Sequence, residues 1–504
     1  MKQLIHKITS RFLLTGFGGA ILFLASCSGH PSLPSNFTKA DKEPAIWPDY
    51  RDVTVPPNIA PLNFMVDSVD DVIAEVSFQD TKFNYGGKDN KVQIDEKEWH
   101  EMLTAAKGKS LSVTVYTEKD GKWAAFRPFS INVAEDEIDP YISYRVLPPT
   151  FVGYDELSIR QYNLTNSQET TIYNNRIISK DLEGQCVNCH SYQNYRTDNM
   201  MFHMRFQHPG TMIVSDGELI FVNLKNNEMI SAAAYNSWHP SLPIIAFSTD
   251  HTMQSFHTRQ VSKVEVMESA SDLVIYDVKQ NKVQVVLCDS AEMELFPSWS
   301  PDGKWLYYCS AHFEYTKKYE DTEELLAKYK TLQYNLYRLS FDAENRTFGE
   351  PELIYDAVAK NRSAVQPRLS PDGRHLLFAE GPWGLFHIWH TSADVQMLDI
   401  ETGQMVNTRP MNSELPESYP SFSSNGRWVL FESRRDDGNY TRTYFAYFDK
   451  QGRLHKPFEV PATDPEYFRL FLRSWSRPEF MKEPVRITPR QFYEKALTEP
   501  IKVN

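Results

Sequence analysis

Cysteine is scarce in this chain, with five residues in 504. That excludes a disulfide-dense secreted scaffold, in which cross-links replace a core too small to hold itself. A membrane-spanning run is also missing near the N-terminus. The apolar stretch Phe12 to Leu24 contains Gly16, Gly18 and Gly19 and is too short to cross a bilayer stably. Basic residues fall short of acidic ones, 53 against 66, for a net charge of −13. This balance argues against nucleic acid or anionic lipid as a ligand. Neither a P-loop nor G-x-S-x-G occurs, so the signatures of nucleotide binding and of a serine-hydrolase elbow are absent. With 41% hydrophobic and 13% aromatic residues, the chain can bury large cores, and its length suggests two domains or more.

Three of the few cysteines carry chemistry. Cys186-Val187-Asn188-Cys189-His190 is a C-x-x-C-H motif, the pattern of a c-type haem attachment site. Two thiols one short loop apart can each add to a vinyl group of one porphyrin, and the adjacent imidazole can then reach the iron. A zinc site needs a second ligand pair at suitable spacing, and none is found. A thioredoxin-like pair should open a helix inside a βαβ pattern, which is also absent. One haem c is therefore expected, with Cys186 and Cys189 as its thioether positions and His190 as the proximal iron ligand. For the sixth position the first candidate is His203 and the next is Met204, followed by Met201 and His208. Methionine ligation would raise the potential, bis-histidine would usually lower it, and an open position would admit a small ligand.

Haem of this type is attached outside the cytoplasm, and the N-terminus agrees. Lys2, Lys7 and Arg11 precede the apolar stretch, and Leu24-Ala25-Ser26-Cys27 follows it. This resembles a bacterial lipobox. Residues 1–26 are then a signal peptide, and Cys27 is the lipidated first residue of the mature chain, tethered to a membrane and not spanning it. Removing residues 1–26 takes away three basic and no acidic residues, giving a mature charge of −16. Cys288 and Cys309 remain, as an envelope disulfide or as two buried free thiols.

Seven prolines between Pro31 and Pro61, with no apolar period, read as a tether over 27–61. Short alternating runs over 62–140, such as Val72 to Phe78 and Leu111 to Tyr116, suggest a small β-sandwich of immunoglobulin-like type. The rest repeats. Pro297-Ser298-Trp299-Ser300-Pro301-Asp302-Gly303 returns as Pro367 to Gly373 and as Pro420 to Gly426, with a looser copy at Trp238-His239-Pro240. Each copy reads as strand, tight Asp-Gly or Asn-Gly turn, strand, followed by a further strand pair. Four strands per unit in a long tandem array indicate a β-propeller over 150–480. Strands near Leu157 to Tyr162, Glu169 to Tyr173 and Met200 to Arg205 bring the expected number of blades to six. On this alignment the haem motif takes the innermost-strand position of one blade. A short helix is expected over Asp321 to Leu332, and another, capped by Thr488, in a tail over 481–504.

The repeats resemble the PD40 units of TolB-like propellers. Together with Cys186 to His190 and the run Met200 to Arg205, they resemble a group of exported TolB-like propeller lipoproteins bearing one c-type haem motif. Some members carry labels such as cytochrome c biogenesis protein or a relation to the hydrazine synthase alpha subunit. The resemblance implies an all-β, six-bladed propeller behind a small sandwich domain. Loops joining second to third strands hold His208, His251, His257, His312, His387, His390, Arg434 and Arg435, and His239 opens another blade. One face of the ring is therefore expected to gather imidazoles around the haem. Three functions follow: a monohaem envelope protein in electron transfer or redox sensing, an interaction scaffold with a structural haem, or a haem enzyme with an open distal site. The expected location is the envelope of a gram-negative bacterium, lipid-anchored through Cys27 and facing the periplasm, with the outer membrane favoured. Its partners would be the membrane and a redox or envelope protein, with no nucleic acid.

Overall fold

The computed structural model describes residues 29–148, 156–177 and 185–503. Cys27 and the signal peptide lie outside the described residues.

Four-stranded antiparallel units follow one another along the chain in a propeller, two of them joined in one nine-stranded sheet and one extended by a fifth strand. Their innermost strands are Ser474–Met481, Gln185–Gln193, Ala233–Trp238, Glu292–Trp299, Ser363–Leu369 and Glu417–Phe422. Each touches the next in that order, and Glu417–Phe422 touches Ser474–Met481. The first unit takes its inner strand from near the C-terminus, where Ser474–Met481 pairs with Tyr141–Leu147. The ring is thus closed by strand pairing between distant parts of the sequence, which leaves no open sheet edge at the junction.

The repeated Ser-x-Asp-Gly or Ser-x-Asn-Gly sequence explains the hairpin that follows the inner strand of the fourth, fifth and sixth units. The Ser300 hydroxyl accepts from Trp305 N at 2.9 Å and donates to Asp302 Oδ1 at 2.6 Å, while its carbonyl accepts from Gly303 N at 2.9 Å. Ser370 and Ser423 make the same set with Asp372 and Asn425. Gly303 has φ +71°, and a Cβ there would meet the His239 ring at 2.5 Å, so the position demands glycine twice over. In the third unit His239 replaces the serine. Its Nδ1 accepts from Leu242 N at 3.0 Å, so its Nε2 carries the proton and donates to Gly303 O at 3.1 Å. His239 is therefore a turn cap that ties one unit to the next.

A bulge recurs in every inner strand. The ladder slips at the same place in all six, and there one non-glycine residue adopts a left-handed conformation: Cys189, Tyr235, Phe296, Gln366, Tyr419 and Arg477, with φ between 43° and 60°. In four units the next residue is proline (Pro297, Pro367, Pro420, Pro478) and in the third it is Asn236; in the second it is His190. A proline donates no ladder hydrogen bond, so it suits a bulge.

The N-terminal region departs from expectation. Residues 29–61 are not a tether: Thr38–Lys39, Ile46–Trp47 and Thr54–Val55 join sheets, and Tyr50, Val53, Val55 and Ile59 are buried. Proline content reports on backbone stiffness, while burial is set by the apolar residues between the prolines. The sandwich expected over 62–140 is a seven-stranded sheet covered by the helix Glu96–Ala105, with a separate three-stranded sheet. Trp99, Met102 and Leu103 of the helix share one core with Val72, Val113 and Val115 of the sheet. The same core runs on into Trp428, Phe445 and Trp475 of the propeller. At the C-terminus a capping box between Thr488 and Gln491 starts the helix Pro489–Ala496, whose Phe492 packs 5.1 Å from Phe202. Ile501–Lys502 then adds to the outer edge of the second unit. Asp321 caps the helix Thr322–Lys328.

Candidate functional site

The C-x-x-C-H motif lies on Gln185–Gln193, the inner strand of the second unit. Cys186 stands opposite Arg205 in the ladder, and Cys189 occupies the left-handed bulge position that other units give to Tyr235, Tyr419 and Arg477. Both cysteines are free thiols. They open on a cavity of about 800 Å³ at the centre of the ring, within the range of about 300–1,000 Å³ usual for small-molecule and cofactor sites. Burial raises the Cys186 thiol, and the nearby Arg145 and Arg205 pull it back down.

His190 is fully buried, and neither ring nitrogen makes a hydrogen bond of ordinary geometry; the backbone of Ser143 lies near it. Burial, reinforced by Arg477 and Arg145, drives its imidazole well below the usual range, so it is neutral. A neutral buried imidazole offers the free nitrogen lone pair that a metal requires, and the Ser143 backbone beside it can accept the N–H of the other nitrogen. Asn236, the residue equivalent to His190 in the third unit, donates through Nδ2 to the Cys189 carbonyl and steadies the bulge.

The two residues expected at the sixth position do not line this cavity. His203 Nδ1 pairs with Thr211 Oγ1 at 2.8 Å, and its ring packs 5.5 Å from Phe247. Met204 lies in the core between the first and second units with Val187 and Phe202. Strand alternation turns Met204 into the packing between the first and second units, while His203, on the same face as Arg205 but further along the strand, packs against Phe247 of the third unit.

Among the described residues no histidine lines the cavity either. His251 is held by Glu320 at 2.9 Å and by Ile230 O at 3.0 Å, and His312 by Glu292 at 2.9 Å. His387 and His390 form a buried chain: His390 Nε2 lies 2.9 Å from Glu265, the two Nδ1 atoms lie 3.2 Å apart, and His387 Nε2 donates to Ser363 O at 2.8 Å. Each of these imidazoles is engaged by a carboxylate or a backbone carbonyl, His251 and His390 by carboxylates of other units. The expectation of a histidine-lined face is therefore corrected.

Arginine and aromatic side chains stand there instead. Arg145, Arg205, Arg434, Arg477 and Lys263 face the cavity, with Asp250 as the lone carboxyl among the described lining residues. Tyr235, Tyr419, Phe386 and Trp389 supply aromatic wall. Arg434 lies over Trp389 at 3.5 Å and donates to Ile388 O at 2.6 Å, and burial brings it down to about 9. Asp250 accepts from Thr252 Oγ1 at 2.7 Å and is raised by burial; beside it the fully buried Glu268 is raised well above the carboxylate range by burial and by the Asp250 charge. Two adjacent carboxyls in that setting share a proton. Aligning the repeats one residue before their proline would have exposed Tyr235, Tyr419 and Arg477. Arg145 and Asp250 leave no such trace.

Among the described residues no group of three or more His, Cys, Asp or Glu could hold a metal ion. A bare ion therefore has no cage here. A porphyrin brings its own four nitrogens and asks the protein only for thiols, one or two axial ligands and an enclosing wall. The two free thiols and the aromatic cavity fit that requirement, while His190, next to Cys189 in the chain, is buried outside the cavity lining. Cys288 is exposed and Cys309 buried, and the two are not bonded.

No family model matches the chain. An uncharacterized protein of Agrobacterium fabrum is 26% identical over 181 residues, covering 33% of this chain and 59% of that relative. The match thus spans little more than half the relative's length. Among solved structures, puromycin hydrolase is 10% identical with a TM-score of 0.37, covering 66% of this chain and 54% of that one. Kuenenia stuttgartiensis hydrazine synthase is 11% identical with a TM-score of 0.30, covering 51% and 63%. The fold assignment rests on the strand pairing given above.

Proposed function

We propose that this chain is a monohaem c-type protein of the bacterial envelope with a redox role, its cofactor held inside the propeller ring. The observation that carries this reading is the opening of both motif thiols, Cys186 and Cys189, on one aromatic cavity, with the fully buried His190 next in the chain. Cys186 and Cys189 would hold the group covalently and His190 would be its axial ligand. When bound, the haem supplies one-electron chemistry at its iron. The chain's own part is to keep His190 neutral by burial, to exclude water with Tyr235, Tyr419 and Trp389, and to surround the site with positive charge, which favours the reduced, more negative state. The sequence before Gly29 supports export and anchoring through lipid on Cys27, in a gram-negative envelope and facing the periplasm.

One observation favours a second reading within this one. Among the described residues no histidine or methionine lines the cavity, His190 included: His190 would have to turn toward the cavity to reach a haem, and a small ligand would meet no competing side chain there. The test is a haem stain and absorption spectrum of full-length protein made in a host with haem-attachment machinery, followed by carbon monoxide. A stained band with a spectrum that shifts under carbon monoxide is expected. A six-coordinate spectrum inert to carbon monoxide would leave electron transfer alone, and an unstained chain would leave a propeller scaffold.

A further inference from the structure

The charge of the cavity contradicts that of the molecule. The chain as a whole is acidic, at −13, yet five cationic side chains meet a single carboxyl at the centre of the ring. Three of them belong to the thiol-bearing strand or its neighbours. Arg205 is the cross-strand partner of Cys186. Arg145, from the adjacent first unit, donates to Asn188 Oδ1 between the two cysteines. Arg477 sits at the bulge position equivalent to Cys189.

These guanidiniums are under-used. Among the described residues neither Arg145 nor Arg205 is paired with a carboxylate, and the Nε of Arg145 is buried with no hydrogen-bond partner. Arg477 is 8% exposed, its Nε also lacks a hydrogen-bond partner, and its nearest carboxylate, Glu479, is 4.0 Å away and already bonded to Arg368 at 2.6 Å. Arg477 is buried while Arg145 and Arg205 are half-buried at the cavity wall, and a buried cation without a partner is costly, so an anion seated among them would be stabilised. Guanidinium forks match the paired oxygens of a carboxylate or small oxyanion.

We propose that Arg145, Arg205 and Arg477 form a binding site for a small free oxyanion or carboxylate at the thiol-bearing wall of the cavity. The choice of a free anion over the porphyrin's own carboxylates rests on the haem reading: a porphyrin bonded through its vinyl groups carries its propionates on its opposite edge, away from Cys186 and Cys189. Arg434 and Lys263, contributed by other units, remain for those. The Asp250 carboxyl lines the same cavity.

The test uses the full-length protein, with haem content read separately from its spectrum. Nitrite and acetate are titrated by calorimetry at constant ionic strength, with chloride as the control. Saturable binding of one nitrite or acetate per chain is expected, weakened at least tenfold in Arg205→Gln and in Arg477→Gln and unmatched by chloride. Arg205 is the less buried of these two, so its variant guards against a loss caused by misfolding, and the melting temperature of each variant checks it. Absence of saturable binding, or binding unchanged in both variants, overturns the proposal. No anion binding together with a haem midpoint potential that moves in Arg205→Gln also overturns it, and assigns the arginines to the propionates. A chain that binds the anion but carries no haem sinks the haem reading and leaves this site standing.

Discussion

The side-chain amide of Asn236 donates to the backbone carbonyl of Cys189, joining the inner strands of two units at the residue where the motif turns left-handed. Asn236 is buried, so no solvent can replace the bond if it is lost. Asn236→Ala should cost about 1–3 kcal/mol of unfolding free energy, the penalty of a buried acceptor left unsatisfied. Urea unfolding measures this. A change under half a kilocalorie, on the order of that for an ordinary surface substitution, would mean the bond does not brace the bulge.

Glu268 makes stability depend on pH in a defined direction. Its carboxyl is raised in the folded chain by burial and by Asp250, while the unfolded value is about 4.3. Between those two values the folded state holds more protons than the unfolded state, so this group's contribution falls as pH rises. Thr252, Tyr235 and Arg205 surround the pair and do not remove the effect. Glu268→Gln should gain stability relative to the parent on going from about pH 5 to about pH 8. Denaturant midpoints of both proteins at the two pH values decide it, and a constant difference would refute the shared proton.

His190 and His203 should separate cleanly. His203 is bonded to Thr211 and packed on Phe247, away from the cavity, so His203→Ala should leave the haem spectrum unchanged while costing about 1–3 kcal/mol of stability. His190→Ala should shift the spectrum of any haem-loaded protein. Absorption spectra of the two variants, set beside urea unfolding, check both statements. A spectral change in His203→Ala would restore it as the sixth ligand.

The propeller was legible because its hairpins are built from local chemistry: Ser300, Ser370 and Ser423 each cap an Asp-Gly or Asn-Gly turn three residues on. The helix caps Asp321 and Thr488 were legible for the same reason. What the sequence hid depends on distance along the chain. Arg145 and Arg477 meet at Cys186 and Cys189 only because the ring closes through strands at its two ends. The histidines misled because a loop imidazole is as readily used by its own backbone, as His239 and His387 are, as by a ligand. Tyr50, Val53 and Ile59 were hidden among prolines that say nothing about burial.

The central claim is that Cys186 and Cys189 carry one haem inside the ring. Peptide mass spectrometry tests it most directly, on full-length protein made with haem-attachment machinery and on Cys186→Ser/Cys189→Ser made alongside. The account predicts a peptide spanning Cys186 to His190 that is heavier by one haem, with both cysteines resistant to alkylation, and no such mass in the double variant. A parent peptide at its unmodified mass, with both thiols alkylated, would contradict it.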